Sequence, residues 1–171
     1  MSSIDTGGVR ADENHRCRRA VSKFAIVHLQ QLIDISPLRI WFGTLTFGMG
    51  LTIPAEELEL CMELARPGYA ALGLTNDLFS WEKEREDARR AGIGHVFNAI
   101  WVIMQEQGVD EAGAMAICED GIRRYVVEFD GIVEKAQMSD LSRDTRAYLE
   151  AVRHSIVGNV VWSVECPRYR L

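Results

Sequence analysis

The 171-residue chain is short of several signals, and each shortage excludes something. Its four cysteines, Cys17, Cys61, Cys118 and Cys166, are scattered without a C-x-x-C pair, which argues against a disulfide frame or thiolate zinc site. They read as reduced packing residues of a cytosolic protein. No basic block occurs and the net charge is −6, so nucleic acid is not the expected partner. The longest apolar run, Ile40 to Ile53, is too short and too interrupted by glycine to span a bilayer. The first 23 residues are polar and charged, without the apolar centre of a secretory signal. His28, His95 and His154 form no set at metal-ligand spacing. Strand-like alternation and internal repeats are both missing from the pattern. What is present, 47% hydrophobic and 26% charged residues in a length suited to one domain, describes a globular protein expected in the cytoplasm.

Helical periodicity runs through almost all of it. Residues 1–20 read as a disordered or irregular segment. Val21 to Ile33 carries Phe24, Val27, His28 and Leu32 at helical spacing and is expected to break at Pro37. Ile40 to Met49 is apolar all round, which predicts a buried helix in which Gly43, Gly48 and Gly50 permit close packing or a kink. Thr52-Ile53-Pro54, followed by Glu56 and Glu57, predicts a capped helix start, with the helix ending near Arg66 before Pro67. A further helix is expected from Pro67 to Arg90, ended by Gly92 and Gly94, with its charge run Arg85 to Arg90 in solvent. Three more follow: Val96 to Gln107, Asp110 to Lys135, and about Arg143 to Val164. The second of these carries the stripe Met115, Cys118, Ile122, Tyr125, Val126, Phe129 and Val133. The expectation is an all-α bundle of six or seven helices.

Within the Pro67–Arg90 segment, Asn76, Ser80 and Glu84 recur at i, i+4 and i+8. On a helix that spacing drifts only about 80° while climbing roughly 6 Å per step. An amide carbonyl, a hydroxyl and a carboxylate then form a ladder of hard oxygen donors suited to Mg²⁺, with Lys83 close to the same arc. Taken alone, such a triplet is more often a plain helix surface. In the last helix, Val152, Ser155, Ile156, Asn159, Val160, Trp162 and Ser163 share one face, a mixture more natural in a cavity wall than in plain core. Pro167 stops that helix and leaves Arg168 and Tyr169 on a short tail, an arginine and a tyrosine that suit phosphate oxygens.

These residues carry a resemblance. Asn76-Asp77-x-x-Ser80-x-x-Lys83-Glu84 resembles the N-D-x-x-S-x-x-K/R-E metal-binding motif of class I terpene synthases. Trp162-Ser163 followed by Arg168-Tyr169 is similar to the Arg-Tyr pair that ends the cyclase domain of the microbial and fungal enzymes. Gly73 to Glu84 and Gly158 to Ser163 look most like the fungal di- and sesterterpene cyclase domains of the fusicoccadiene synthase type, and the likeness covers roughly Trp41 to Tyr169. It implies the all-α isoprenoid synthase fold, with Asn76, Ser80 and Glu84 binding Mg²⁺ and with Lys83, Arg168 and Tyr169 holding the diphosphate. Phe79, Asn159 and Trp162 would line the cavity in which the carbocation cyclises. The implied substrate is a prenyl diphosphate, geranylgeranyl or geranylfarnesyl, in terpenoid secondary metabolism.

The departures from that family pattern matter as much. The family's aspartate-rich motif belongs on an earlier helix, and only 75 residues precede Asn76, with Asp12-Glu13 the nearest acidic pair that contains an aspartate. Ile35 to Arg39 does not reproduce the family's diphosphate-sensing arginine. Residues 21–171 therefore resemble the C-terminal half of a cyclase domain, as part of a larger polypeptide carrying the aspartate-rich half or a prenyltransferase domain, or within a homo-oligomer. The alternative is a non-catalytic helical module that keeps the fold. A prenyl-elongating synthase relative is disfavoured by the lack of any D-D-x-x-D sequence.

Overall fold

The computed structural model describes residues 37–169, which form five α-helices and a terminal 3₁₀ turn; no strand occurs among them. The helix expected over 21–33 and the irregular segment 1–20 lie outside the described residues, as do Cys17 and His28. Helix α1, Pro37–Met49, has proline at its first position, where a missing N–H costs nothing. It ends on Gly50, left-handed at φ 62°, where Leu51 N donates to Thr46 O (2.8 Å) and Gly50 N to Phe47 O (3.2 Å).

Helix α2, Leu58–Arg90, is one element of 33 residues, where two helices divided at Pro67 were expected. Proline removes one helical hydrogen bond and crowds the preceding turn, at a cost of about 3 kcal/mol. Burial on both sides of it opposes that cost. Cys61, Ala65, Tyr69 and Ala71 are all buried in the larger core. The expected cap at Thr52 is also corrected. Residues 55–57 form a turn, Glu57 occupies the N-cap, and the Thr52 backbone N–H donates instead to Asp144 Oδ2 (2.8 Å). At the other end the glycine signal holds. Gly92 has φ 68°, Ile93 N donates to Ala88 O (2.9 Å), and Gly92 N to Arg89 O (3.2 Å).

Helix α3, Ala99–Gln107, starts three residues later than expected, at the N-cap Asn98, and ends on left-handed Gly108. Helix α4, Glu111–Gln137, is capped by Asp110, whose Oδ1 accepts from Gly113 N (2.9 Å). Of its expected stripe, Cys118, Phe129 and Val133 are buried and the others half-buried. Helix α5, Arg143–Glu165, begins at Ser142, and Pro167–Tyr169 forms the closing turn. The count is thus five α-helices among the described residues, because the Pro67 boundary vanished and the earliest expected helix lies outside them.

Contacts in which both residue numbers rise together set the topology. Glu57 meets Thr145, Tyr69 hydrogen-bonds Tyr148, Asn159 Nδ2 donates to Leu72 O (3.3 Å), and Asn76 Nδ2 donates to Tyr169 Oη (2.8 Å). Numbers rise together on both sides, so α2 and α5 run parallel. Leu74 O accepts from Cys118 Sγ (3.7 Å) and Arg85 pairs with Glu111, so α4 runs antiparallel to α2. One core joins Tyr69, Phe129, Tyr148, Leu149 and Val152 around the first half of α2. A second joins Leu74, Trp81, Ile100, Ile103 and Cys118 around the later half.

Helix α1 is not buried as its composition predicted. Phe42 and Leu45 pack on the first core, with the Phe42 ring 5.0 Å from that of Tyr148, but Phe47 is 91% exposed and Ile40, Trp41 and Met49 are exposed as well. Among the described residues one neighbouring face covers one stripe, and the remaining apolar faces stand clear. Nor do Gly43, Gly48 and Gly50 serve close packing among the described residues, where a Cβ on any of them would meet nothing within 4 Å. No helix among the described residues is long and apolar enough to cross a membrane.

Candidate metal and diphosphate site

Residues Asn76, Ser80 and Glu84 occupy consecutive turns in the later half of α2, where continuous helix keeps their spacing regular. Their surroundings differ along the ladder. Asn76 is exposed, Ser80 is 2% exposed and Glu84 is half-buried. The site is fastened from two directions. At the Asn76 end the closing turn arrives, and Tyr169 Oη accepts a hydrogen bond from Asn76 Nδ2 at 2.8 Å. Tyr169 in turn meets Trp162 edge-on, centroids 5.6 Å apart, and Arg168 places its guanidinium carbon 5.9 Å from the Tyr169 ring centre.

At the Ser80 and Glu84 end the fastening comes from α3. Asn98 Nδ2 donates to Asp77 O (2.8 Å) and Glu84 Oε2 (3.1 Å), and lies 3.4 Å from Ser80 Oγ. The Asp77 carboxylate points to the same helix start, its Oδ2 accepting from Ala99 N at 2.7 Å, where an anion also meets the positive end of the α3 dipole. Asp77 in the motif thus serves α3. Sequence reading passed over Asn98 because it began α3 at Val96. The available signal was an asparagine directly ahead of the apolar run Ala99-Ile100-Trp101-Val102-Ile103, the usual mark of an N-cap.

The other expected site residues are placed as follows. Lys83 lies near the arc of the ladder and is ion-paired with Asp87 one turn on. Arg168 is exposed beside Tyr169. Phe79 is half-buried on α2. Asn159 is half-buried on α5, bonded to the α2 backbone, and Trp162 is 51% exposed. Val152, Ile156 and Ser163 of the mixed α5 face are buried, whereas Val160 is exposed, so that face divides between core and solvent.

A hard cation suits the donor set. All three candidate ligands are oxygens and only one is charged. Asn76 keeps its carbonyl oxygen because its amide nitrogen faces Tyr169, Glu84 keeps one carboxylate oxygen beside the one facing Asn98, and the Ser80 hydroxyl, contacted by Asn98, keeps a second lone pair. No cluster of three His, Cys, Asp or Glu residues that would hold a metal in another way occurs among the described residues.

The described residues around this ladder are five α-helices without a strand, as suits a terpene synthase domain. Residues 29–128 match the sequence model described as terpene synthase family 2, C-terminal metal binding, and the chain belongs to that family. Fungal synthases are among its relatives. It is 49% identical over 140 residues to fusicoccadiene synthase of Phomopsis amygdali, covering 81% of this chain and 19% of that protein. It is 47% identical over 134 residues to talaropentaene synthase of Talaromyces verruculosus, covering 78% of this chain and 20% of that one. With ophiobolin F synthase of Cochliobolus heterostrophus the identity is 38% over 169 residues, 94% of this chain and 22% of that protein. The chain therefore spans about a fifth of the length of these curated relatives.

Proposed function

We propose that this chain supplies the N-D-x-x-S-x-x-K-E side of a class I terpene cyclase site, acting on a prenyl diphosphate of the geranylgeranyl or geranylfarnesyl class. Residues 21–171 would then be the C-terminal part of a cyclase domain. The observation that carries the reading is the ladder itself. Three oxygen donors stand on successive turns of one rigid helix, with a tyrosine hydroxyl against the first and a buried amide against the other two. Family membership and the diterpene and sesterterpene synthases among the relatives support it.

In this reading Asn76, Ser80 and Glu84 hold Mg²⁺, which when bound offsets charge on the departing diphosphate. Lys83, Arg168 and Tyr169 bind and orient the diphosphate oxygens. Arg168 is free to do so on an exposed turn, whereas Lys83 must first leave Asp87, an exposed pairing worth no more than about 1 kcal/mol. Phe79, Asn159 and Trp162 face the hydrocarbon, the aromatic faces stabilising cationic carbon without trapping it. Water must be excluded from that space. The apolar residues that α5 leaves exposed are those such a cavity wall would use once covered.

Calorimetry with inorganic diphosphate tests this. Mg²⁺ alone is expected to bind weakly, and Mg²⁺ with diphosphate markedly better, with the gain lost in Glu84→Ala and Ser80→Ala. Diphosphate binding that ignores Mg²⁺ and survives Glu84→Ala would instead identify a non-catalytic module that keeps the fold.

A further inference from the structure

We propose that Asn98 is a positioning residue for the ladder: its buried side-chain amide sets the Glu84 carboxylate and the Ser80 hydroxyl before any ligand arrives. The inference rests on the ladder reading above and extends it to a residue on another helix, 14 positions beyond Glu84 and across the turn that ends α2.

The side chain is 0% exposed, and its orientation is determined by its partners. Oδ1 accepts from Ile100 N at 2.8 Å as the cap of α3. The amide nitrogen therefore faces α2. The opposite flip would set NH₂ against the Ile100 N–H, and a carbonyl oxygen against the Asp77 carbonyl and the Glu84 carboxylate, exchanging three attractions for repulsions. Two hydrogens serve Asp77 O at 2.8 Å and Glu84 Oε2 at 3.1 Å, with Ser80 Oγ a weaker third contact at 3.4 Å.

The consequence falls on Glu84. A glutamate on a helix surface has three rotors and loses that freedom on binding a ligand. Here one carboxylate oxygen is already engaged by Asn98, which leaves Oε1 as the acceptor for a ligand. The hydrogen-bonded contact to Asp77 O and the Asp77–Ala99 bond tie the same turn of α2 to the start of α3, so the amide cannot drift from its acceptors. Residues that orient ligands in this manner commonly contribute tenfold to a hundredfold in metal affinity.

The test uses the 171-residue chain with Mn²⁺ and inorganic diphosphate, read by calorimetry and by the Mn²⁺ paramagnetic resonance spectrum. Asn98→Ser keeps an oxygen to cap α3 and loses the arm that reaches Glu84. The expected result is unchanged helix content with metal affinity down about tenfold or more. Asn98→Asp keeps shape and cap but turns a carboxylate oxygen toward Glu84, and an altered Mn²⁺ spectrum is expected even if the serine variant folds poorly. Wild-type affinity in Asn98→Ser, or a wild-type spectrum in Asn98→Asp, overturns the inference while leaving the ladder intact, provided Glu84→Ala loses binding. If Glu84→Ala binds like wild type, the ladder reading fails and the role of Asn98 fails with it.

Discussion

Gly68 lacks a side chain where α2 packs tightly against α4 and α5. A Cβ there would lie 2.8 Å from Phe129 Cε1 and 2.8 Å from Val152 Cγ1, both on buried residues. Gly68→Ala should therefore destabilise the chain despite alanine's better helix propensity, by about 1–3 kcal/mol in urea unfolding, because overpacking outweighs the propensity gain. Glu57 is the second residue with a specific role. Its carboxylate accepts from the Thr145 hydroxyl and from the Ser142 hydroxyl (2.8 Å) and N–H (2.9 Å), across the start of α5. The Thr145 bond above all, then those from Ser142, hold its pKa below the ordinary carboxylate value, with Arg146 adding a smaller pull. A lowered folded-state pKa means stability that is present above the unfolded pKa and lost as pH falls through the folded one. The stability difference between wild type and Glu57→Gln should be full at neutral pH and shrink on acidification below about pH 4. Paired denaturation curves across pH would show it, and a difference that stayed constant into acid would refute the assignment.

At the scale of elements, Pro67 is the informative case. Local rules end a helix before proline, and α2 runs straight through it. Pro67→Ala restores the missing N–H, a gain of about 3 kcal/mol in helix terms, while removing two buried methylenes at about 0.8 kcal/mol each. The balance predicts a chain more stable by about 1 kcal/mol, visible as a raised thermal midpoint; a loss instead would mean that the proline ring is packed more tightly than this arithmetic allows. Helix ends were more legible than helix continuity. Gly92 stops its helix through hydrogen bonds made within one turn, so the signal is contained in adjacent residues, whereas Gly50, read as a packing or kink glycine, ends α1 in the same way. The start of α3 was misjudged by three residues because Val96 and Phe97 are apolar, yet lie in the approach to Asn98.

Across the whole molecule, apolar surface is unevenly covered. Ile40 and Phe47 on α1, and Val157, Val161 and Val164 along one line of α5, stand exposed. The isolated chain should therefore self-associate as its concentration rises. Phe47→Ser with Val161→Ser should reduce that in sedimentation velocity while shifting stability by no more than about 0.5 kcal/mol per site, since neither side chain is packed. An unchanged association constant would place the contact elsewhere. The all-α class, the ladder spacing on α2 and the family were determined by the sequence alone, because helical period and a motif of nine residues depend on neighbours a few positions away. Tertiary structure decided the rest: that Pro67 is bridged, that α1 is half open, that Lys83 is engaged by Asp87, and that Asn98 meets Glu84. Each of these depends on which surfaces from distant parts of the chain come within van der Waals or hydrogen-bonding reach. For the ladder this means that i, i+4, i+8 spacing sets the three side chains on successive turns, while the hydrogen bonds that reach them from α3 and the closing turn depend on tertiary packing.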